Sequence, residues 1–261
     1  MTLWQGIVLG LVQGLTEFLP VSSSGHLRVL EVVTGVRTPG VFVEVALHVA
    51  TLGSVLVVYG ARLWQIVRGV FALRAQELRM TGLLVLATIP AGVLGALFHR
   101  QVEEAATSLV LIGIAFLITG CANWSTRRLA GTRSEPTVGG AIGIGFAQSV
   151  AAVFRGISRS GSTVAAGLWC GLTPTAAAEF SFLLAVPVIA GAALLESRHI
   201  GSGVAAAGAV PLAVSFVIAF AAGLWSIRFL VALLKQGRFY AFAPYNWAIG
   251  LLTIAYGLWR G

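Results

Sequence analysis

Apolar runs with almost no charge follow one another along nearly the whole of this chain, and this pattern limits its fold more than any other feature. Six of them, at 41–60, 81–98, 108–126, 175–196, 207–227 and 245–260, are long enough to read as spanning helices, since a bilayer core takes roughly 20 helical residues. Four more, near 3–19, 22–34, 140–154 and 161–172, are shorter or interrupted by Gly, Pro, Ser and Arg. They read as two pairs of re-entrant helices, which enter the membrane and turn back. With 57% hydrophobic and 10% charged residues, the chain is neither a soluble globule, where about 25% charged is usual, nor a disordered polymer. The expected fold class is an all-α polytopic membrane protein, one integral domain over residues 1–261.

Seventeen basic residues oppose nine acidic ones, all glutamate, for a net charge of +8. Most arginines lie in short connections between apolar runs, where positive charge fixes orientation, so nucleic-acid binding is not expected. The connections holding Arg62, Arg68, Arg74 and Arg79, then Arg127, Arg128 and Arg133, then Arg228, Lys235 and Arg238, read as cytoplasmic. The connection from His99 to Thr107 reads as external. Met1–Leu19 carries no basic leader and runs straight into a polar motif, which reads as insertion by the chain's own first segments. Cys121 and Cys170 lack metal or redox spacing and read as small packing residues. The seven tryptophans read mainly as interface anchors.

The two halves resemble each other. Gly10-Leu-Val-Gln13 recurs as Gly145-Phe-Ala-Gln148, Ser22-Ser-Ser-Gly25 as Ser158-Arg-Ser-Gly161, and Glu44 as Glu179, always 135 or 136 residues apart. Alternation of the spans gives the copies, approximately 1–126 and 139–261 around a basic linker 127–138, opposite orientations. Such an inverted-topology repeat places a binding site at the repeat interface near the midplane.

Polar residues concentrate at two breaks. In the first, Gln13 and Glu17 are four apart and share a helix face. Pro20 is compatible with the end of that helix, and Ser22, Ser23 and Ser24 are suited to cap the next one, whose N-terminus favours anions. Gly25 and His26 fall in its first turn. An acid, an imidazole and hydroxyls beside an anion-binding helix end supply a base and a nucleophile. An ionisable residue at membrane depth is costly and marks function by default. The second break, Arg155-Gly156-Ile-Ser158-Arg159-Ser160-Gly161-Ser-Thr163, has no acid. Its guanidiniums offer forks for phosphate oxygens, and its glycines let backbone amides approach closely. Glu44, His48 and Glu179, at the starts of spanning helices, either line the same cavity or cap their helices.

Gln-Gly-Leu-Thr-Glu-Phe-Leu-Pro-Val-Ser-Ser-Ser-Gly-His (13–26) and Gly-Ile-Ser-Arg-Ser-Gly-Ser-Thr (156–163) resemble the two signature regions of the undecaprenyl pyrophosphate phosphatase family, also called BacA or UppP. The likeness continues through Phe42–His48 and Glu179–Pro187. It implies a bacterial inner-membrane enzyme that removes one phosphate from the C55 isoprenoid diphosphate, recycling the lipid carrier of peptidoglycan and other envelope glycans. It also implies a site opening to the periplasmic side and dependence on a divalent cation, Mg²⁺ or Ca²⁺, with Glu17 as ligand. Carried onto this chain, the catalytic residues are Glu17, Ser23, His26 and Arg159. Gln13, Ser22, Ser24, Gly25, Arg155, Gly156, Ser158, Ser160, Gly161 and Thr163 bind substrate. Two positions depart from the usual pattern: Gln13, where many members have glutamate, and Arg155, where proline is typical. An added cation at 155 strengthens diphosphate binding, alters substrate choice or impairs turnover. Expected partners are the isoprenoid diphosphate and membrane lipid, with a homodimer left open.

A carrier-lipid transporter is the main alternative, since inverted repeats and a midplane anion site also serve alternating access. The other membrane lipid phosphatase class is excluded: Ser24-Gly25-His26 mimics part of its signature, but no lysine precedes it, and the first histidine after Arg159 is His199.

Overall fold

The computed structural model describes residues 1–35, 41–97 and 108–260. The external connection expected at His99–Thr107 lies outside them. Eleven helices form the described part: α1 (Leu3–Phe18), α2 (Ser23–Thr34), α3 (Val41–Phe71), α4 (Ala75–Leu97), α5 (Leu109–Ser125), α6 (Val138–Val153), α7 (Arg159–Trp169), α8 (Pro174–Glu196), α9 (Ile200–Ala207), α10 (Ala209–Lys235) and α11 (Ala243–Arg260). Among the described residues, five stretches are helical and apolar for long enough to cross a membrane: 41–71, 75–94, 109–128, 174–207 and 209–235. The protein is therefore multi-pass. The sixth expected span is the 18-residue helix α11, packed along α5.

At 16, 12, 16 and 11 residues, α1, α2, α6 and α7 fall short of the roughly 20 that a bilayer core requires. Polar breaks end α1 and α6, where the sequence places them. Helix α1 lies along α10, and its small residues set the spacing. A methyl on Gly6, Gly10 or Gly14 would overlap the carbonyl oxygens of Pro211, Ser215 and Ala219 respectively. This close approach of backbones is how helices associate where lipid removes the hydrophobic drive. The register rises together on both helices, so they run parallel, and the end of α1 lies level with Ser226, which donates to the carbonyl of Gly14 at 2.8 Å. Glu17 is thus held well inside the span of α10. Reciprocally, α6 packs on α4, with Gly145 against the backbone of Ala87.

Helix α3 runs to Phe71, eleven residues past the end read from hydropathy. Apolarity marks where the bilayer ends, not where the helix does. Arg62 stays on the helix because its guanidinium meets Glu77 at 2.8 Å and Glu179 at 3.0 Å. The linker after α5 is pinned to the turn before α8: the amide of Arg133 donates to Gly171, and that of Thr173 to Arg133. The main core includes Phe18 at the end of α1 and Val164 in α7, each near a break, together with Leu52, Phe182 and Leu183.

Candidate active site

The first break is built as a sharp corner. Leu19 leaves α1 in an extended conformation, and Ser22 takes φ +69°, in the left-handed region that a side chain rarely occupies. That turn lets Ser22 Oγ accept from the amide of Gly25, capping α2, and leaves Ser23 as the first helical residue. Two amides hold the corner from outside: Asn123 Nδ2 and Asn246 Nδ2 both donate to the carbonyl of Pro20, at 2.8 and 2.9 Å. Glu17, one turn after Gln13 on α1, is buried beneath. Its Oε2 accepts from Ser23 Oγ at 2.6 Å and from Gln13 Nε2 at 3.1 Å.

The second break repeats this construction. Gly156 adopts φ +100°, Ser158 Oγ accepts from the amide of Gly161, and Arg159 is the first residue of α7. Thr119 holds it from α5, accepting from the amide of Ser158 at 3.1 Å. The two breaks interlock, for a methyl on Gly25 would press on Gly156, and one on Gly161 on Pro20. Ser160 Oγ donates across to the carbonyl of Leu19 at 3.1 Å, while Thr163 pairs with Ser181 at 2.6 Å.

This folding places Arg159 Nη2 2.6 Å from Glu17 Oε1, although 142 residues separate them. The pair is buried, with 18% and 4% of the two side chains exposed. Charges taken from water need such geometry and further hydrogen bonds to be tolerated, and Gln13 and Ser23 supply them. Two buried polar atoms here have no protein partner: the donor Arg159 Nη1 and the acceptor Gln13 Oε1. The guanidinium is therefore split, one nitrogen on the carboxylate and the other left for an acceptor such as a phosphate oxygen.

A third element contributes His48, from α3. Its Nδ1 lies 2.7 Å from the carbonyl of Glu44. A carbonyl only accepts, so Nδ1 carries the proton and Nε2 faces Glu17 Oε2, 3.5 Å away. The sequence leaves His48 between lining and capping; the structure puts it against the carboxylate. His26 points elsewhere: Nδ1 donates to the carbonyl of Ser22 at 2.7 Å, and Nε2 accepts from the hydroxyl of Tyr245 at 2.6 Å. Its ring also packs edge-on against Phe116. No hydrogen bond joins His26 to Glu17 or Ser23 among the described residues. Arg155 is engaged with Glu44, both fork contacts at 3.3 Å, and Ser24 approaches Ser22 Oγ at 3.5 Å.

No group of three or more His, Cys, Asp or Glu suited to a metal occurs among the described residues. The donors that do converge, the Glu17 carboxylate and the open Gln13 Oε1, fit a hard cation of the Mg²⁺ type, which binds through one or two carboxylates plus substrate phosphates. Thr119, Asn123 and the adjacent Tyr245 and Asn246 escape sequence reading, because they are sparse polar residues in apolar runs with no spacing to mark them.

The family model described as "Bacitracin resistance protein BacA" matches residues 6–252. Curated relatives named undecaprenyl-diphosphatase include one from Desulfosudis oleivorans, 41% identical over 97% of this chain and 98% of its own. Another, from Desulforapulum autotrophicum, is 38% identical over 98% and 99%. A third, from Rhodopirellula baltica, is 37% identical over 97% of each chain. Matched over nearly its full length by model and relatives alike, the chain belongs to the BacA family.

Proposed function

We propose that the protein hydrolyses undecaprenyl diphosphate to the monophosphate and inorganic phosphate. The observation that carries this reading is the meeting of Glu17, Ser23 and Arg159 at the facing N-termini of α2 and α7, with Arg159 Nη1 buried and unpartnered. The names of the relatives favour a phosphatase over a carrier-lipid transporter.

In this mechanism the β-phosphate sits between the two helix ends, whose free amides favour anions. Arg159 Nη1 takes one of its oxygens and spreads the charge that grows there during transfer. Ser23 Oγ attacks the β-phosphorus while its proton passes to Glu17 Oε2, already 2.6 Å away, and the bond from that phosphorus to the bridging oxygen breaks. The leaving group is the isoprenyl monophosphate. Water then cleaves the phosphoserine, activated by the same carboxylate, with His48 as the nearest imidazole to exchange the proton. The 2.6 Å bond makes Glu17, rather than His26, the base for Ser23. His26 and Tyr245 border the site instead, and Arg155 with Glu44 forms its other rim. A divalent cation, Mg²⁺ or Ca²⁺, held by Glu17, Gln13 Oε1 and the diphosphate, supplies charge neutralisation on the phosphoryl oxygens when bound.

We place the protein in the bacterial inner membrane, with the site open to the periplasmic face. The arginine-rich ends of α3, α5 and α10 support this orientation. The packing also supports the inverted repeat: α1 lies on α10 of the other half, and α6 reciprocally on α4.

The test is phosphate release by purified protein from farnesyl and undecaprenyl diphosphates, with and without chelator. Release that falls with chelation supports the reading, whereas lipid movement without release contradicts it. Trapped phosphoserine at Ser23 identifies the nucleophile, and full activity in Ser23→Ala would exclude it.

A further inference from the structure

Arg155, at the start of the second break, has a partner across the site. Its fork lies across the carboxylate of Glu44, Nη1 to Oε1 and Nη2 to Oε2, each at 3.3 Å. Charge-assisted bonds of this type are ordinarily about 2.7–2.9 Å, so the pair is loose. It is also partly open to solvent, with 28% and 23% of the two side chains exposed, whereas the neighbouring Arg159–Glu17 pair is tight and buried. Ion pairs that are partly solvated and held at such distances are weak.

The two pairs stand side by side. Arg155 and Arg159 flank the same short break. Glu44 lies one turn before His48 on the same face of α3, and His48 is the residue that reaches Glu17. The guanidiniums thus sit at neighbouring levels, each opposite a carboxylate. A carboxylate facing a fork presents two oxygens in one plane, as a phosphate does.

We propose that Arg155 is a second diphosphate ligand held in reserve by Glu44. The substrate's outer charge displaces that carboxylate, and Glu44 reclaims the fork when only monophosphate remains. This deepens the phosphatase reading and rests on it. A diphosphate has enough phosphoryl oxygens to engage Arg159 and Arg155 together, whereas a monophosphate satisfies one. The exchange therefore selects diphosphate over monophosphate. Glu44 acts as an internal competitor of the substrate.

The pair can be tested because a competitor and a strut respond with different signs. KM and kcat for farnesyl diphosphate, and calorimetric binding of inorganic pyrophosphate and inorganic phosphate, are measured on the purified protein and on Arg155→Ala, Arg155→Lys and Glu44→Gln. The proposal expects Arg155→Ala to raise KM and weaken pyrophosphate about tenfold, the effect of one lost charged contact, with kcat nearly unchanged. Arg155→Lys, which keeps the charge but loses the fork, falls between. Glu44→Gln moves the other way, lowering KM and tightening pyrophosphate roughly threefold, about half the logarithm of that change, while phosphate binding stays put. If Glu44→Gln weakens pyrophosphate as Arg155→Ala does, the pair is a strut and the proposal is overturned. Thermal unfolding midpoints close to wild type show that each variant is folded. If the wild type releases no phosphate from any isoprenoid diphosphate, the phosphatase reading falls; opposite shifts in pyrophosphate binding would still support the exchange, and parallel shifts would still refute it.

Discussion

The two polar breaks share one backbone plan and differ in the chemistry mounted on it. In each, a serine hydroxyl caps a short helix by accepting from an amide three residues on: Ser22 from Gly25, and Ser158 from Gly161. In each, a second serine lies beside the cap, and a residue of α5 braces the corner. The helices that lead in differ. Helix α1 carries Gln13 and Glu17, the amide donating to the acid. At the matching places α6 has Gln148, with neither amide atom partnered, and Ala152. The acid is confined to the first half and the fork of Arg159 to the second. The backbone plan is shared and the chemistry divided: the carboxylate comes with one break and the guanidinium with the other.

The sharpest way to break this comparison is to remove the divided groups. Arg159→Ala should lower kcat by about 10²–10³, the effect of losing one oxyanion-type donor, and Glu17→Gln should match or exceed it, read as phosphate release. Matching substitutions in the two leading helices should then differ. Gln13→Leu removes a bond to the carboxylate and an open acceptor, and should cost roughly tenfold in turnover, the scale of a charged hydrogen bond. Gln148→Leu deletes two buried unsatisfied atoms, each costing about 1–3 kcal/mol. It should raise the unfolding midpoint in detergent and leave turnover within about threefold; a fall in stability would mean that this amide has a role on the second side too.

The braces should give intermediate effects. Thr119→Val strips an acceptor from the amide of Ser158 and should cost about 1–3 kcal/mol of stability, with kcat falling more than KM changes because Arg159 loses its register. The caps should be smallest and should also distinguish the halves. Ser158→Ala should cost about 1 kcal/mol. Ser22→Gly should be nearly neutral in thermal unfolding, because glycine relieves the positive φ of Ser22 while losing its cap.

Much of this architecture is legible in the chain itself, for reasons that also explain what is not. Most helix ends follow from hydropathy to within a few residues, but α4 begins six residues before its apolar stretch, α10 runs eight past its own, and α3 outruns its stretch to Phe71. There Arg62 is neutralised by Glu77 and Glu179, a tertiary effect that no window along the chain registers. Gln13, Glu17, Ser23 and Arg159 stand out because polar groups are rare and costly at membrane depth. The orientation of His26 toward Tyr245, and the approach of His48 to Glu17, depend on how α11 and α3 pack around the breaks. Asn123 and Asn246 are hidden for the same reason: an isolated amide in an apolar helix offers no spacing to read, and its purpose shows only when both reach one carbonyl.

If Glu17 and Arg159 act as one unit on one substrate, the effects of losing them must overlap. A double-mutant cycle tests it most directly: kcat/KM for phosphate release from undecaprenyl diphosphate in wild type, Glu17→Gln, Arg159→Ala and the double variant. Groups that work as a unit are strongly non-additive, so the double variant should be scarcely worse than the worse single one. Losses that multiply in full would mean that the two residues act independently, and would contradict the claim.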